Sequence, residues 1–347
     1  MVKVKCLLFG LILCTNLVVA CQDETDAKKT VDKPVWDMTG FARGADVSWL
    51  TEMEKSGVVF YDATGVRTDC LELLRNLGMN AIRLRVWVNP SDGWCNASDV
   101  LVKAWRAKQL GMRIMIDFHY SDSWADPSQQ TMPAVWSNYS MDALKVAVST
   151  HTNAVLTLLK SAGITPEWVQ VGNETGNGML WDKGKASVNM AQYAALNNAG
   201  YEAVKAVFPK ALVIVHLQEG NNNSLYRWLF DGLKNNGGKW DVIGMSLYPT
   251  VSNWQQLTAA CVSNMKDMVS RYGSKVMICE VGMPWDEAAT AKKCLTELMT
   301  QSKALADSAC LGVFYWEPEA YGNWKSYSLG AFDASGKPTE ALDAFKK

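Results

Sequence analysis

Residues 77–88 read Leu-Gly-Met-Asn-Ala-Ile-Arg-Leu-Arg-Val-Trp-Val. An amphipathic stretch over residues 68–77 reaches Gly78, where a helix needs a left-handed stop, and an alternating run follows from Ala81. In that run Ile82, Leu84, Val86 and Val88 share one face, and Arg83, Arg85 and Trp87 share the other. The apolar face belongs against helices. The arginines therefore point to the opposite side of the sheet, where buried cations need carboxylate partners. The same joint of helix, glycine and strand recurs at Leu110-Gly111-Met112-Arg113 and at Ala162-Gly163-Ile164.

Working outward, short β-branched runs fall at residues 41–47, 81–88, 113–118, 168–171, 211–217, 242–247, 275–280 and 312–316. Helical patterns follow them at 68–77, 98–110, 141–162, 190–207, 224–233, 254–272, 287–306 and 339–345. Eight strands, each followed by a helix, predict an α/β fold, a (β/α)8 TIM barrel in a single catalytic domain over residues 39–347. A doubly wound open sheet is the alternative, but no glycine-rich phosphate loop follows the first strand.

The chain carries 34 basic and 35 acidic side chains among 347 residues, a net charge of -1. That balance offers no electrostatic footprint for nucleic acid and no polybasic surface for anionic lipid. Of the fifteen tryptophans, some suit the C–H-rich face of a sugar ring and the others fill a core. Lys3 and Lys5, then an apolar run over residues 6–20 closing on Val18-Val19-Ala20-Cys21, read as a signal peptide. Its ending resembles a bacterial lipobox, with Cys21 as the lipid anchor. Residues 22–38 read as a flexible tether. The expected location is thus export and anchoring to a bacterial membrane, at the cell surface or periplasmic face, with no other membrane contact. Acidic Asp23 and Glu24 after the cysteine resemble surface-export signals.

Cys70, Cys95, Cys261, Cys279, Cys294 and Cys310 remain. They permit several disulfide pairings or none, since some suit small buried apolar positions. No C-x-x-C occurs, and three histidines argue against a zinc site. No cofactor and no metal are expected.

In such a barrel the chemistry stands at the C-terminal strand ends. Those ends carry Asp46, Arg83, Arg85, Trp87, Asp117, His119, Tyr120, Asn173, Glu174, His216, Gln218, Ser246, Tyr248, Glu280, Trp316 and Glu317. Strand parity places Val276, Ile278 and Glu280 on one face of the seventh strand, with Glu280 inward, and turns Cys279 toward the helices. Asn173 and Glu174 are consecutive, so a bent or bulged backbone is needed to present both.

Gly44-Ala45-Asp46-Val47-Ser48, Ile82-Arg83-Leu84-Arg85-Val86-Trp87-Val88-Asn89-Pro90, the run over residues 117–127, Val171-Gly172-Asn173-Glu174, the run over 243–249 and Phe314-Tyr315-Trp316-Glu317-Pro318 together resemble glycoside hydrolase family 53, the endo-β-1,4-galactanases. The resemblance spans residues 40–347. It implies an endo-acting retaining hydrolase of β-1,4-galactan, including the arabinogalactan side chains of pectin, with Glu174 as acid/base and Glu280 as nucleophile. Asn173 would hold the 2-hydroxyl, Arg83 and Tyr248 would orient and ionise Glu280, and Trp316 would floor the site. Asp46, Trp87, His119, Tyr120 and Trp124 complete the expected substrate-binding set, with Trp285 and Tyr321 as further wall candidates. The polysaccharide is the one partner expected of a monomer. Two rivals stand beside this reading: a barrel hydrolase of another β-linked polysaccharide such as mannan or xylan, and a non-catalytic glycan-binding surface lipoprotein.

Overall fold

The structure, a computed structural model, describes residues 37–346. The signal peptide, Cys21 and most of the tether lie outside them. The strands are β1 (Ala42–Asp46), β2 (Ala81–Val86), β3 (Arg113–Phe118), β4 (Trp168–Val171), β5 (Leu212–Leu217), β6 (Val242–Leu247), β7 (Lys275–Val281) and β8 (Cys310–Trp316). Each pairs in parallel with the next, and β1 pairs with β8 to close the barrel. Two helices, α1 (Leu50–Lys55) and α2 (Cys70–Asn76), separate β1 from β2. The later crossovers are α3 (Ala97–Gln109), α4 (Met141–Ser161), α5 (Met190–Val207), α6 (Asn223–Asn235), α7 (Trp254–Tyr272) and α8 (Ala288–Lys303).

Two departures from the sequence reading stand out. The short α1 follows β1 directly, and the closing segment over residues 340–345 is a 3-10 helix rather than an α-helix. That segment is locked from below. A Cβ at Gly78 would stand 2.4 Å from the Phe345 carbonyl oxygen, and Gly78 has φ +95°, so the joint that reveals the fold also requires glycine for space.

Ile82, Leu84 and Val86 pack in the large core between barrel and helices, as alternation predicts. Inside the barrel, a lower apolar plug gathers Ala42, Ala81, Met115, Trp168, Ile214, Val242, Met277, Cys279 and Phe314. Above it the inward residues turn polar: Arg83, Asp117, Gln170 and His216 are buried. The plug fills the base, so the polar layer opens only toward the C-terminal mouth.

Cys279 corrects the parity reading of β7. It sits in the inner plug, not against the helices. Met245 pairs with Ile278 and the next residue, Ser246, pairs with Glu280, so Cys279 is the extra residue of a bulge. The bulge lets Cys279 and Glu280 both face inward. Gly244 accommodates the thiol, since a Cβ there would lie 2.8 Å from Cys279 Sγ and 2.7 Å from Ile214 Cγ2.

Candidate active site

The end of β4 turns through two left-handed residues, Gly172 (φ +85°) and Glu174 (φ +46°). This bend presents the consecutive Asn173 and Glu174 side chains to one cleft. Left-handed backbone costs a non-glycine residue about 1–3 kcal/mol and persists where the surroundings fix it. Here Thr175 N–H donates to the His216 carbonyl at 2.8 Å, and Gln130 Nε2 donates to the Asn173 carbonyl at 2.8 Å.

Arg83 is the hub beneath the cleft. Its Nε donates to Gln170 Oε1 at 2.7 Å, Nη1 to Asp46 Oδ2 at 2.6 Å, and Nη2 to Asp117 Oδ2 and Asn173 Oδ1, both at 2.9 Å. Nη2 also lies 3.0 Å from Glu280 Oε1. The planar guanidinium thus fixes one carboxylate at the surface of the cleft with two more held below it, a geometry lysine could not reproduce. Tyr248 donates its hydroxyl to Glu280 Oε2 at 2.7 Å, so both oxygens of Glu280 are engaged. Asp46 is fully buried and accepts from Ser48 N–H and Oγ; it serves Arg83 from below.

The two glutamates face opposite electrostatic conditions. Burial, then the negative charge of Glu280, pushes the Glu174 pKa up to about 8, while the Ser246 hydroxyl, donating at 2.7 Å, pulls it slightly back. Burial also raises Glu280 above the ordinary carboxyl range, but Arg83 and the Tyr248 hydroxyl act against it. The shared proton therefore resides on Glu174, and Glu280 is the member that ionises first.

The cleft, about 400 Å³, is walled by Trp49, His119, Trp124, Trp316 and Tyr327, with Asp126, Lys325 and Ser326 at its rim. Trp49 is the keystone of this wall, with ring centroids 5.9 Å from Trp124 and 5.1 Å from Trp316. Arg85, paired to Glu317 at 2.6 Å, places its guanidinium carbon 4.4 Å from the centre of the Trp124 ring. His119 Nδ1 accepts from Trp87 Nε1 at 3.3 Å and from Ala125 N–H at 3.2 Å, which leaves Nε2–H to donate to Asp117 at 3.0 Å.

Of the sequence-derived set, Asn173, Glu174, Tyr248, Glu280, His119, Trp124 and Trp316 meet in the cleft. Asp46, Arg83 and Trp87 are buried around it as supports. Tyr120 is a correction: its φ of +51° turns it into the helix layer, where it is 1% exposed, stacks on Phe118 and shares a hydrogen bond with Thr152 at 2.7 Å. Trp285 and Tyr321 line a neighbouring depression that shares Tyr327 with the cleft. Sequence reasoning missed Trp49, Asp126, Lys325, Ser326 and Tyr327. All lie beyond strand ends, Lys325 and Ser326 in a 3-10 turn, where no periodicity marks them; Asp126 falls within the motif run over residues 117–127, and for the others the signal was position just beyond β1 and β8.

The sequence profile of glycosyl hydrolase family 53 matches residues 42–345. The chain belongs to that family. An arabinogalactan endo-β-1,4-galactanase of Thermothelomyces thermophilus is 31% identical over 88% of this chain and 98% of its own length. An endo-β-1,4-galactanase of Bacillus subtilis is 31% identical over 80% of this chain and 70% of its own. A solved fungal β-1,4-galactanase superposes with a TM-score of 0.82 at 29% identity, covering 88% of this chain and 99% of that one. The family 53 match covers all eight strands, the same span over which the sequence motifs are spread.

Proposed function

We propose that this family 53 chain is an endo-acting, retaining β-1,4-galactanase, with Glu280 as nucleophile and Glu174 as acid/base. The observation that carries it is the asymmetry of the two glutamates: one is clamped by a guanidinium and a phenol, the other keeps its proton to about pH 8. The relatives' activity supplies the substrate class. In the first step Glu280 attacks the anomeric carbon while Glu174 protonates the departing 4-oxygen, giving a galactosyl ester on Glu280. Ester formation removes the negative charge that had favoured the protonated acid, so Glu174, having given its proton to the leaving group, stays ionised and takes a proton from the incoming water, whose oxygen bonds to the anomeric carbon as the bond to Glu280 breaks. Asn173, held by Arg83 and by its own amide donating to the Ala125 carbonyl at 2.8 Å, is placed to meet the 2-hydroxyl. The aromatic wall offers flat faces to successive sugars.

Reducing-end release from linear β-1,4-galactan, with product sizing beside mannan and xylan, tests this directly. Short oligosaccharides from galactan alone support it. Binding without release would favour the glycan-capturing lipoprotein, and early free galactose an exo-enzyme. We also propose that the mature protein is tethered through lipidated Cys21 to a bacterial membrane. Support comes from the Val-Val-Ala-Cys ending and polar tether. Mass analysis of the mature N-terminus and release by Cys21→Ser test it; an unmodified N-terminus refutes it.

A further inference from the structure

His216 and Ser246 stand at the ends of β5 and β6, and neither has a role in the double displacement just described. Both are buried. His216 Nε2 lies 2.8 Å from Ser246 Oγ, and Ser246 Oγ lies 2.7 Å from Glu174 Oε1. We propose that this pair is a positioning relay which occupies Oε1 of Glu174 and thereby keeps the catalytic proton on Oε2. It rests on the acid/base reading of Glu174.

The direction of the relay follows from a hydrogen census. Arg83 Nε always donates, so Gln170 must present Oε1 to it and Nε2 to the far side. The two hydrogens of Gln170 Nε2 then go to Asp117 Oδ1 and to His216 Nδ1, each at 3.0 Å. Asn173 Oδ1 also lies 3.0 Å from Nδ1, but it already accepts from Arg83. If Nδ1 carried the proton, the second Gln170 hydrogen would be buried with no acceptor, an outcome folded proteins avoid. Nδ1 therefore accepts, and Nε2–H donates to Ser246. Burial and the Arg83 charge hold His216 neutral, so only one ring nitrogen carries hydrogen.

With its oxygen receiving from His216, Ser246 has a single hydrogen to give and one place to give it. It donates to Glu174 Oε1 in both states of the acid: to a carbonyl oxygen when Glu174 is protonated, to a carboxylate when it is not. Glu174 Oε2 has no protein partner among the described residues and remains for the glycosidic oxygen. Arg83 thus orients both glutamates, Glu280 directly and Glu174 through Gln170, His216 and Ser246.

Ser246→Ala removes one oxygen and is tested with Ser246→Thr, which restores the hydroxyl, on linear β-1,4-galactan and on an aryl β-galactobioside with a dinitrophenolate leaving group. Melting temperatures check that the variants are folded. The readout is kcat/KM, which reports the first displacement on both substrates. On galactan, whose leaving group needs the proton, Ser246→Ala should lose roughly tenfold or more, a part of the full general-acid contribution. On the aryl substrate it should lose less than about threefold, since no proton is needed. The alkaline limb on galactan should move to higher pH, because the lost hydrogen bond favoured the carboxylate, and Ser246→Thr should restore it. Glu280, Arg83 and Asp126, the other charges acting on Glu174, are unchanged in either variant. Equal losses on both substrates, or an unmoved alkaline limb, overturn the relay alone. A wild-type protein inert toward every galactan would instead remove the reading beneath it.

Discussion

Replacing Glu174 by glutamine should disable turnover of galactan and stabilise the protein, with the stabilisation growing as pH rises. The structure sets the sign. The folded pKa of about 8 lies above the unfolded value of about 4.3, so between those limits the folded state holds a proton that the unfolded chain has released. Stability from that proton is fully present below about pH 4 and drains away as pH rises toward 8. At about 1.4 kcal/mol per unit, the full window corresponds to roughly 5 kcal/mol. Solvent reaching the partly exposed carboxyl reduces this to about 2–3 kcal/mol. Glutamine does not titrate, and its carbonyl still accepts from Ser246. Calorimetry of both proteins at pH 4.5 and 7.5 checks it: little difference at the lower pH, and a variant melting about 4–6 °C higher at the upper, at roughly 2 °C per kcal/mol for a chain of this size. On galactan, kcat/KM should fall about 10²–10⁴-fold. A melting difference that is the same at both pH values would refute the assignment of a protonated Glu174.

Arg83→Lys should cut kcat on galactan at least about 10²-fold, since one ammonium cannot reproduce the fork. The acid limb of its pH profile should move upward as Glu280 loses the 3.0 Å guanidinium contact that favours ionisation, a shift that rate measurements across pH would detect. Gly244→Ala should destabilise by about 1–3 kcal/mol through overpacking, and adding Cys279→Ala should recover part of that in a denaturation cycle, because one of the two close contacts is removed. All six cysteines among the described residues are free and buried, so a thiol reagent should leave them unmodified in the native protein and label six on unfolding.

The strands were legible because alternation against a helix layer is a local property, and β2 exposed its inward arginines without any tertiary information. Where tertiary structure intervened, parity failed. The extra residue in β7 exists because Gly244 leaves room for the Cys279 thiol across the pair, a fact about two strands that neither run contains. Tyr120 fails for a related reason: one left-handed residue at the end of β3 reverses the side expected of it. Asn173 and Glu174 went the other way, since their adjacency demanded a bend and the bend is present. The aromatic wall was half visible. Trp124 and Trp316 fall within motifs, whereas Trp49 and Tyr327 are placed by loops whose course depends on packing across the barrel mouth. His216 and Ser246 could be located at strand ends, but the direction of the hydrogen bond between them is set at the other ring nitrogen by Gln170, which sits on β4 with no motif to mark it.

The assignment of Glu280 as nucleophile is tested most directly by trapping the intermediate. A 2-deoxy-2-fluoro β-galactobioside with an activated leaving group should glycosylate the enzyme faster than the ester hydrolyses, and peptide mass analysis should then find one glycosyl adduct on Glu280 with Glu174 unmodified. An adduct on Glu174, or turnover that releases the α-anomer with no covalent species, would contradict it.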